Sequence, residues 1–211
     1  MDTQKHMGAS ARTYKMLLGC AIEISQKGHL PTLIELALAT ETSRATVYRH
    51  FPSHADLVHA LMTHSLSNLI AWRPRSGPVS ERVAEAIDLL FKDFRTYETL
   101  FRAVLQLSLL RDTQDQDTSF SIGQKNSRGL RIEILKRALE PLVGHLDSVK
   151  YEQLLKNLSL VFGIEALVVL RDIFGLNLDD AKEAILASAQ AFIRDAVGKA
   201  RGSKDVKELL K

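Results

Sequence analysis

The 211-residue sequence predicts an all-α fold, with a small N-terminal three-helix head of the helix-turn-helix kind followed by a larger C-terminal helical domain. Three observations predict it. Apolar residues recur at helical spacing over long stretches, as from Val79 to Arg111, and no segment alternates like a strand. Between residues 32 and 57, two capping boxes and a proline punctuate a run of short helices. Five prolines and 6% aromatic residues suit helices, and 45% hydrophobic residues is enough for a proper core.

The first helix is expected from about Ser10 to Gln26, with Leu17, Leu18, Ala21 and Ile24 inward and Gly28 in a C-cap position. Cys20, the only cysteine, lies between Leu18 and Ile22 and reads as a small buried hydrophobe; one cysteine excludes an internal disulfide and a Cys-based zinc cluster. Thr32 followed by Glu35 starts a second helix near Leu33. Ser43 is the N-cap of a third, running to about His50. Pro52 cannot continue it, because it lacks an N–H and disfavours the α region at Phe51. Ser53 followed by Asp56 then starts a fourth helix at His54, expected to reach Trp72. Leu33, Leu36, Ala37, Val47 and Phe51 form one inner seam, leaving Arg44, Ala45, Thr46, Tyr48, Arg49 and His50 around the remaining surface. Hydroxyls and guanidinium groups donate to phosphate or guanine, and alanine packs on a thymine methyl, so that outer set suits double-stranded DNA.

The run Ser43-Arg44-Ala45-Thr46-Val47-Tyr48-Arg49-His50-Phe51-Pro52-Ser53 closely resembles the end of the DNA-reading head in the tetracycline-repressor (TetR) family of bacterial regulators. With Thr32 ahead and Asp56-Leu57 behind, the resemblance covers roughly residues 10 to 70. It implies a helix-turn-helix at about 32–51 within a head at 10–72, in which Thr32, Thr46, Tyr48 and His50 position the head on phosphates while Arg44, Ala45 and Tyr48 face base edges; Ser43, Arg49 and His54 complete the expected DNA-binding set. Two positions depart from the pattern. Glu41 stands where the family usually has a turn glycine, and His54 where it usually has a phosphate-contacting lysine. A non-glycine residue at positive φ costs of order 1 kcal/mol, and histidine carries full charge only when protonated.

Net charge is +3 with a pI near 9.0, yet up to Trp72 six Lys or Arg face five Asp or Glu, a net of +1. The head therefore depends on the placement of its donors more than on a strong positive field. Six of the seven histidines lie in this third. His54, His59 and His64 are five apart, which turns successive side chains by about 140° around a helix and argues against a metal site. No cofactor is expected. No run reaches the roughly 18 apolar residues that span a bilayer, and Met1 to Met7 is polar, so a cytoplasmic protein without membrane attachment is expected.

The string Arg73-Pro74-Arg75-Ser76-Gly77-Pro78 is the expected boundary, followed by a second domain over 79–200 and a basic tail at 201–211. A break is expected near Thr96, a polar loop over 113–127, and a helix from about Arg128 to His145. From Leu158 to Leu170, ten of thirteen residues are apolar, which predicts a helix buried on several sides. The last helix, from near Leu178, carries Ala181, Ala184, Ala187, Ala189, Ala191 and Ala196, whose small side chains admit a close neighbour. This predicts a homodimer through the last two helices, about 151–198, as the resemblance also implies; the same pattern fits helices buried wholly within their own domain.

The resemblance further implies a pocket for an unknown small-molecule effector between residues 79 and 174, for which Trp72, Tyr97, Arg102, Gln106, Phe120 and Glu165 are candidate lining groups. The expected function is that of a dimeric DNA-binding transcription regulator, a ligand-responsive repressor at a palindromic operator. An alternative is a helical ligand-binding or interaction module with a degenerate head, for which Glu41, His54 and the head's small net charge speak. No His-Glu-x-x-His pair, phosphate-binding glycine loop, Cys-His arrangement or Gly-x-Ser-x-Gly elbow recommends an enzyme.

Overall fold

A computed structural model describes residues 3–75, 77–109 and 121–198, and among them there is no strand. Among these residues ten α-helices run in chain order: α1 (Thr3–Gln26), α2 (Leu33–Ala39), α3 (Arg44–His50), α4 (His54–Ser65), α5 (Ser67–Ala71), α6 (Val79–Leu109), α7 (Ser121–Ala138), α8 (Ser148–Val161), α9 (Ile164–Val168) and α10 (Leu178–Gly198). The described chain forms two compact units. The first takes the described residues through Ser65 and those of 96–125; the second takes Leu66–Arg95 and those from Asn126 onward.

In the first unit, Leu17 and Ala21 of α1, Leu33, Leu36 and Ala37 of α2, Val47 and Phe51 around α3, Leu57 and Leu61 of α4 and Leu100 of α6 form one buried cluster. Tyr97 and Val104 pack against it. These α6 residues are why the division of the chain does not follow the expected 10–72 and 79–200 split: a stretch distant in sequence completes the core of the head. Helix α1 starts at Thr3, not near Ser10; residues 3–9 hold no proline and include strong helix formers such as Gln4, Lys5 and Ala9. Cys20 is half-buried against the cluster, and burial pushes its thiol up.

The helix expected over 54–72 is two helices, because the backbone breaks at Leu66 (φ −101, ψ 12). There Ser65, itself buried, turns its hydroxyl onto the Met62 carbonyl at 3.0 Å instead of continuing the helix as a passive residue. In the second unit, the carbonyls that α5 leaves open at its end accept from two guanidinium groups. Arg137 reaches the Trp72 and Ile70 oxygens at 2.6 and 3.3 Å, and Arg73 reaches the same two at 2.8 and 3.3 Å. Helix α6 leaves helical geometry at Tyr97 (φ −125, ψ 21), one residue from the expected break. Helix α7 begins at Ser121, which corrects the loop expected through residue 127; Gln124 and Lys125 are good helix formers despite their polarity. It ends at Ala138 and not at His145, because Pro141 limits the next residues to a short 3-10 turn at Glu140–Leu142. The rest of the loop, residues 113–120, and the basic tail 201–211 lie outside the described residues.

The apolar run 158–170 is likewise not one helix. Helix α8 ends at Val161, and Gly163 (φ 177, ψ 174) is fully extended between it and α9. A Cβ at Gly163 would run into the Arg131 guanidinium and the Glu165 carboxylate, which pair over this spot at 2.8 and 2.9 Å. A π-type turn, Val169–Ile173, follows α9, and the segment Ile164–Ile173 is bent by 47° from α8. Burial is one-sided here: Leu158, Phe162 and Leu167 are inside, while Leu160, Val169, Ile173 and Phe174 are exposed. Helix α10 buries Leu178, Ala181, Ile185, Ala189, Ile193 and Val197 along one stripe, packs chiefly on α8, and leaves Ala187 and Ala191 exposed. Among the described residues no single helix is long and apolar enough to cross a membrane.

One buried charge stands out in the second unit. Asp93 of α6 is 3% exposed, its Oδ2 has no hydrogen-bond partner among the described residues, and Asn68 is its hydrogen-bonding neighbour. Burial raises its carboxyl to about 6, with the Asn68 bond opposing. Below the ordinary aspartate range the group is protonated folded or unfolded and costs nothing. Between the ordinary aspartate range and about 6 the unfolded chain ionises while the folded chain keeps the proton, so stability falls over that window by up to about 3 kcal/mol and stays at the lower level at neutral pH. Asp93→Asn is therefore expected to raise stability at pH 7 and to have no effect near pH 4, as read from urea denaturation midpoints at both pH values; an equal effect at the two would exclude a buried carboxylate as the cause.

Candidate nucleic-acid interface

The two halves of the helix-turn-helix are held by the hydrogen bonds that the spacing predicts. At α2 the Glu35 N–H donates to the Thr32 Oγ1 at 3.1 Å while the Thr32 N–H donates to Glu35 Oε2 at 2.7 Å. The Thr32 donors also hold the Glu35 carboxyl below its usual range. At α4 the Ser53 N–H donates to Asp56 Oδ2 at 2.9 Å and the Asp56 N–H to Ser53 Oγ at 3.3 Å. Between them, α3 starts from Ser43, whose Oγ accepts from the Thr46 N–H at 3.2 Å and lies 2.9 Å from the Thr46 hydroxyl.

The turn from α2 to α3 passes through Glu41 at φ +52, the one non-glycine residue with positive φ among the described residues. It is held there by three contacts. The Glu41 N–H donates to the Leu38 carbonyl at 3.2 Å, the Thr42 N–H to Ala37 at 3.0 Å, and the Thr40 hydroxyl to Leu36 at 2.7 Å. Glu41 therefore bears the left-handed conformation and its strain.

Rotation of α3 is set from inside. Val47 is fully buried and Phe51 is 1% exposed; Tyr14 of α1 lies against the Phe51 ring at 5.4 Å between centroids. Sequence reading passes over Tyr14, although its place one turn before Leu17 and Leu18 puts it on the inner side of α1. With that side fixed, Arg44, Ala45, Tyr48 and Arg49 are exposed together and Thr46 partly so. Thr32 is exposed at the start of α2 and keeps its hydroxyl hydrogen free of the capping bond.

The two histidines do not stand with that set. His50 is half-buried beside Tyr14, ring centroids 6.1 Å apart, and its Nε2 is buried with no partner among the described residues. The expected open phosphate contact is not what Nε2 presents, because the turn into Pro52 rotates the last residue of α3 toward α1. His54 Nε2 lies 3.1 Å from the Pro31 carbonyl and ties the start of α4 to the segment before α2. That nitrogen is spent on the fold.

The candidate effector-lining residues are divided between the two units. In the first, Tyr97 meets His64 edge-on at 6.2 Å, Arg102 donates to Glu98 at 2.8 Å, and Gln106 is exposed. In the second, the Trp72 indole N–H donates to Glu85 at 3.3 Å and Glu165 pairs with Arg131. Phe120 lies outside the described residues.

No family model matches the chain. A curated HTH-type transcriptional repressor, LfrR of Mycolicibacterium smegmatis, is 33% identical over 85 residues, 38% of this chain and 45% of that protein, so the match spans less than half of the relative. A tetR-family transcriptional regulator from Streptomyces coelicolor superposes with a TM-score of 0.70 at 15% identity, covering 95% of this chain and 87% of that one. A TetR transcriptional regulator from Rhodococcus sp. RHA1 does so with a TM-score of 0.57 at 18% identity, covering 86% and 96%. The resemblance carried by residues 43–53 thus extends, as a fold, over nearly the whole chain.

Glu41→Gly is expected to stabilise the chain by up to about 1 kcal/mol, the relieved left-handed strain less the extra freedom that glycine has when unfolded. Thermal unfolding reads the result, and a lowered midpoint would show that Glu41 makes a compensating contact.

Proposed function

We propose that this chain, which has the all-helical fold of TetR-family regulators, is a dimeric, sequence-specific DNA-binding transcription regulator. One observation carries the reading: with Val47 and Phe51 locked inside, α3 presents Arg44, Ala45, Tyr48 and Arg49 as a single exposed face directly after a side-chain-capped start. A guanidinium, a methyl and a phenol at the front of such a helix are the groups that read base edges in a major groove. Thr32, Ser43, Thr46 and Arg49 then serve the flanking phosphates, His50 acts from behind the helix, and His54 fixes the start of α4. The relative's name as a transcriptional repressor supports repression; a palindromic operator and an effector acting through the second unit complete the proposal. A bacterial regulator of this kind acts in the cytoplasm, which is the location proposed.

Dimerisation through α8 to α10 is supported by the exposed apolar groups Leu160, Val169, Ile173 and Phe174 in the second unit, together with the exposed Ala187 and Ala191 of α10. A two-fold pairing of this surface covers those side chains and sets the spacing of two heads on two half-sites.

Two outcomes test the reading. Arg44→Ala is expected to cost about 1–3 kcal/mol in operator affinity and to relax preference at one base pair, measured by gel shift against the DNA flanking the gene; a loss uniform across sequences would assign Arg44 to phosphate. Ala187→Glu is expected to turn the dimer into a monomer in sedimentation at micromolar concentration, since an unpaired charge buried at an interface costs several kcal/mol. A dimer unaffected by that charge would move the interface elsewhere.

A further inference from the structure

One face of α1 in the head is left open. Ala11, Tyr14, Leu18, Gly19 and Ile22 share a stripe of that helix and form the floor of a groove of about 750 Å³, a volume in the range of sites for drug-sized molecules. At Gly19 a side chain would meet nothing within 4 Å, so the groove reaches down to the helix backbone there. Its polar edge is made by Ser10, Lys15, His50 and His64, with no carboxylate among the lining residues. The His50 Nε2 is buried with no partner among the described residues. A buried polar nitrogen left in that state is unusual in a folded protein, and His50 lines the groove.

We propose that this groove is a ligand site within the head, taking a flat, mainly apolar organic anion. Its ring system packs on Leu18, Gly19 and Ile22, and its acid group takes Lys15 at the rim and the His50 Nε2, which a turn of the imidazole about its Cβ–Cγ bond brings from its buried position to the groove. The apolar floor selects the body of the ligand, the orphaned nitrogen supplies the hydrogen bond, and the uniformly basic or neutral edge selects negative charge. His50 is the last residue of α3, so an occupant that bonds it acts directly on the helix with the exposed reading face. That consequence rests on the DNA-binding reading; the site itself does not.

Anilinonaphthalene sulfonate, a fluorescent aromatic anion, is the probe, titrated into the full-length chain. The expected result is saturable fluorescence accompanied, at the same concentrations, by movement of the His50 ring-nitrogen resonance in NMR. Gly19→Phe, which fills the groove from a position with open space, weakens binding at least about tenfold, Lys15→Gln weakens it less, and Gly19→Ala leaves the site usable. Fluorescence that saturates while the His50 resonance stays still, in the wild-type chain, would overturn the proposal by placing the dye elsewhere. So would equal affinity in folded Gly19→Phe, with circular dichroism verifying the fold. Gel shifts with the dye separate the two readings. Operator release by the dye in the wild type but not in Gly19→Phe supports both. Dye binding with the expected variant pattern, in a chain that retains no operator at all, upholds the site and removes the DNA-binding reading.

Discussion

Burial of Val47 and Phe51 sets the rotation of α3, and what the head offers to a partner depends on that rotation. The two side chains are 0% and 1% exposed and sit in a cluster fed by α1, α2, α4 and α6. Burying two such groups contributes about 3–6 kcal/mol, against about 1 kcal/mol for the Ser43 cap. Packing therefore decides which way α3 faces, and the cap decides only where it begins. A seven-residue helix has little stability of its own, so the exposed face of α3 exists because the opposite face is anchored.

The same anchoring explains the cost the turn accepts. Glu41 sits at φ +52 because the backbone bonds around it and the burial of Leu36, Ala37 and Val47 leave no other path from α2 to α3. Asp93 shows a second accepted cost, a carboxylate among the buried residues Leu90, Phe91 and Phe94 with one oxygen unpaired. It lies three residues before the point where α6 passes from one unit to the other, and Asn68 lies just after the same passage between α4 and α5. A polar pair so placed joins the two chain crossings within the second unit, and a fully apolar pair would make the unit more stable at neutral pH.

The second unit shows how an apolar sequence is divided between core and surface. Residues 158–170 read as a helix with no polar side, yet Gly163, extended beneath the Arg131–Glu165 pair, breaks the run and turns its second part. The bend places Leu167 inside and Val169, Ile173 and Phe174 outside. The surface proposed for dimerisation is thus a product of the break, not of composition alone.

Local chemistry was legible in the sequence. Thr32 with Glu35, Ser43 with Thr46, Ser53 with Asp56, and the stop at Pro52 act over three or four residues, and each lies where the spacing puts it. The inner seam of the head was legible for a similar reason, since the hydrophobic period of a helix repeats every turn. Contacts between residues distant in the chain were not. The participation of Leu100 in the head's core, the bond of His54 to Pro31 and the inward turn of His50 beside Tyr14 depend on which helices meet in space. So does the role of Gly163, which leaves room for the Arg131 side chain thirty-two positions earlier. By itself the sequence determined where α2, α3 and α4 begin, their caps and the residue types on the exposed face of α3. The tertiary structure decided which polar groups remain free for a partner, because a side chain's availability depends on every neighbour that packing brings to it.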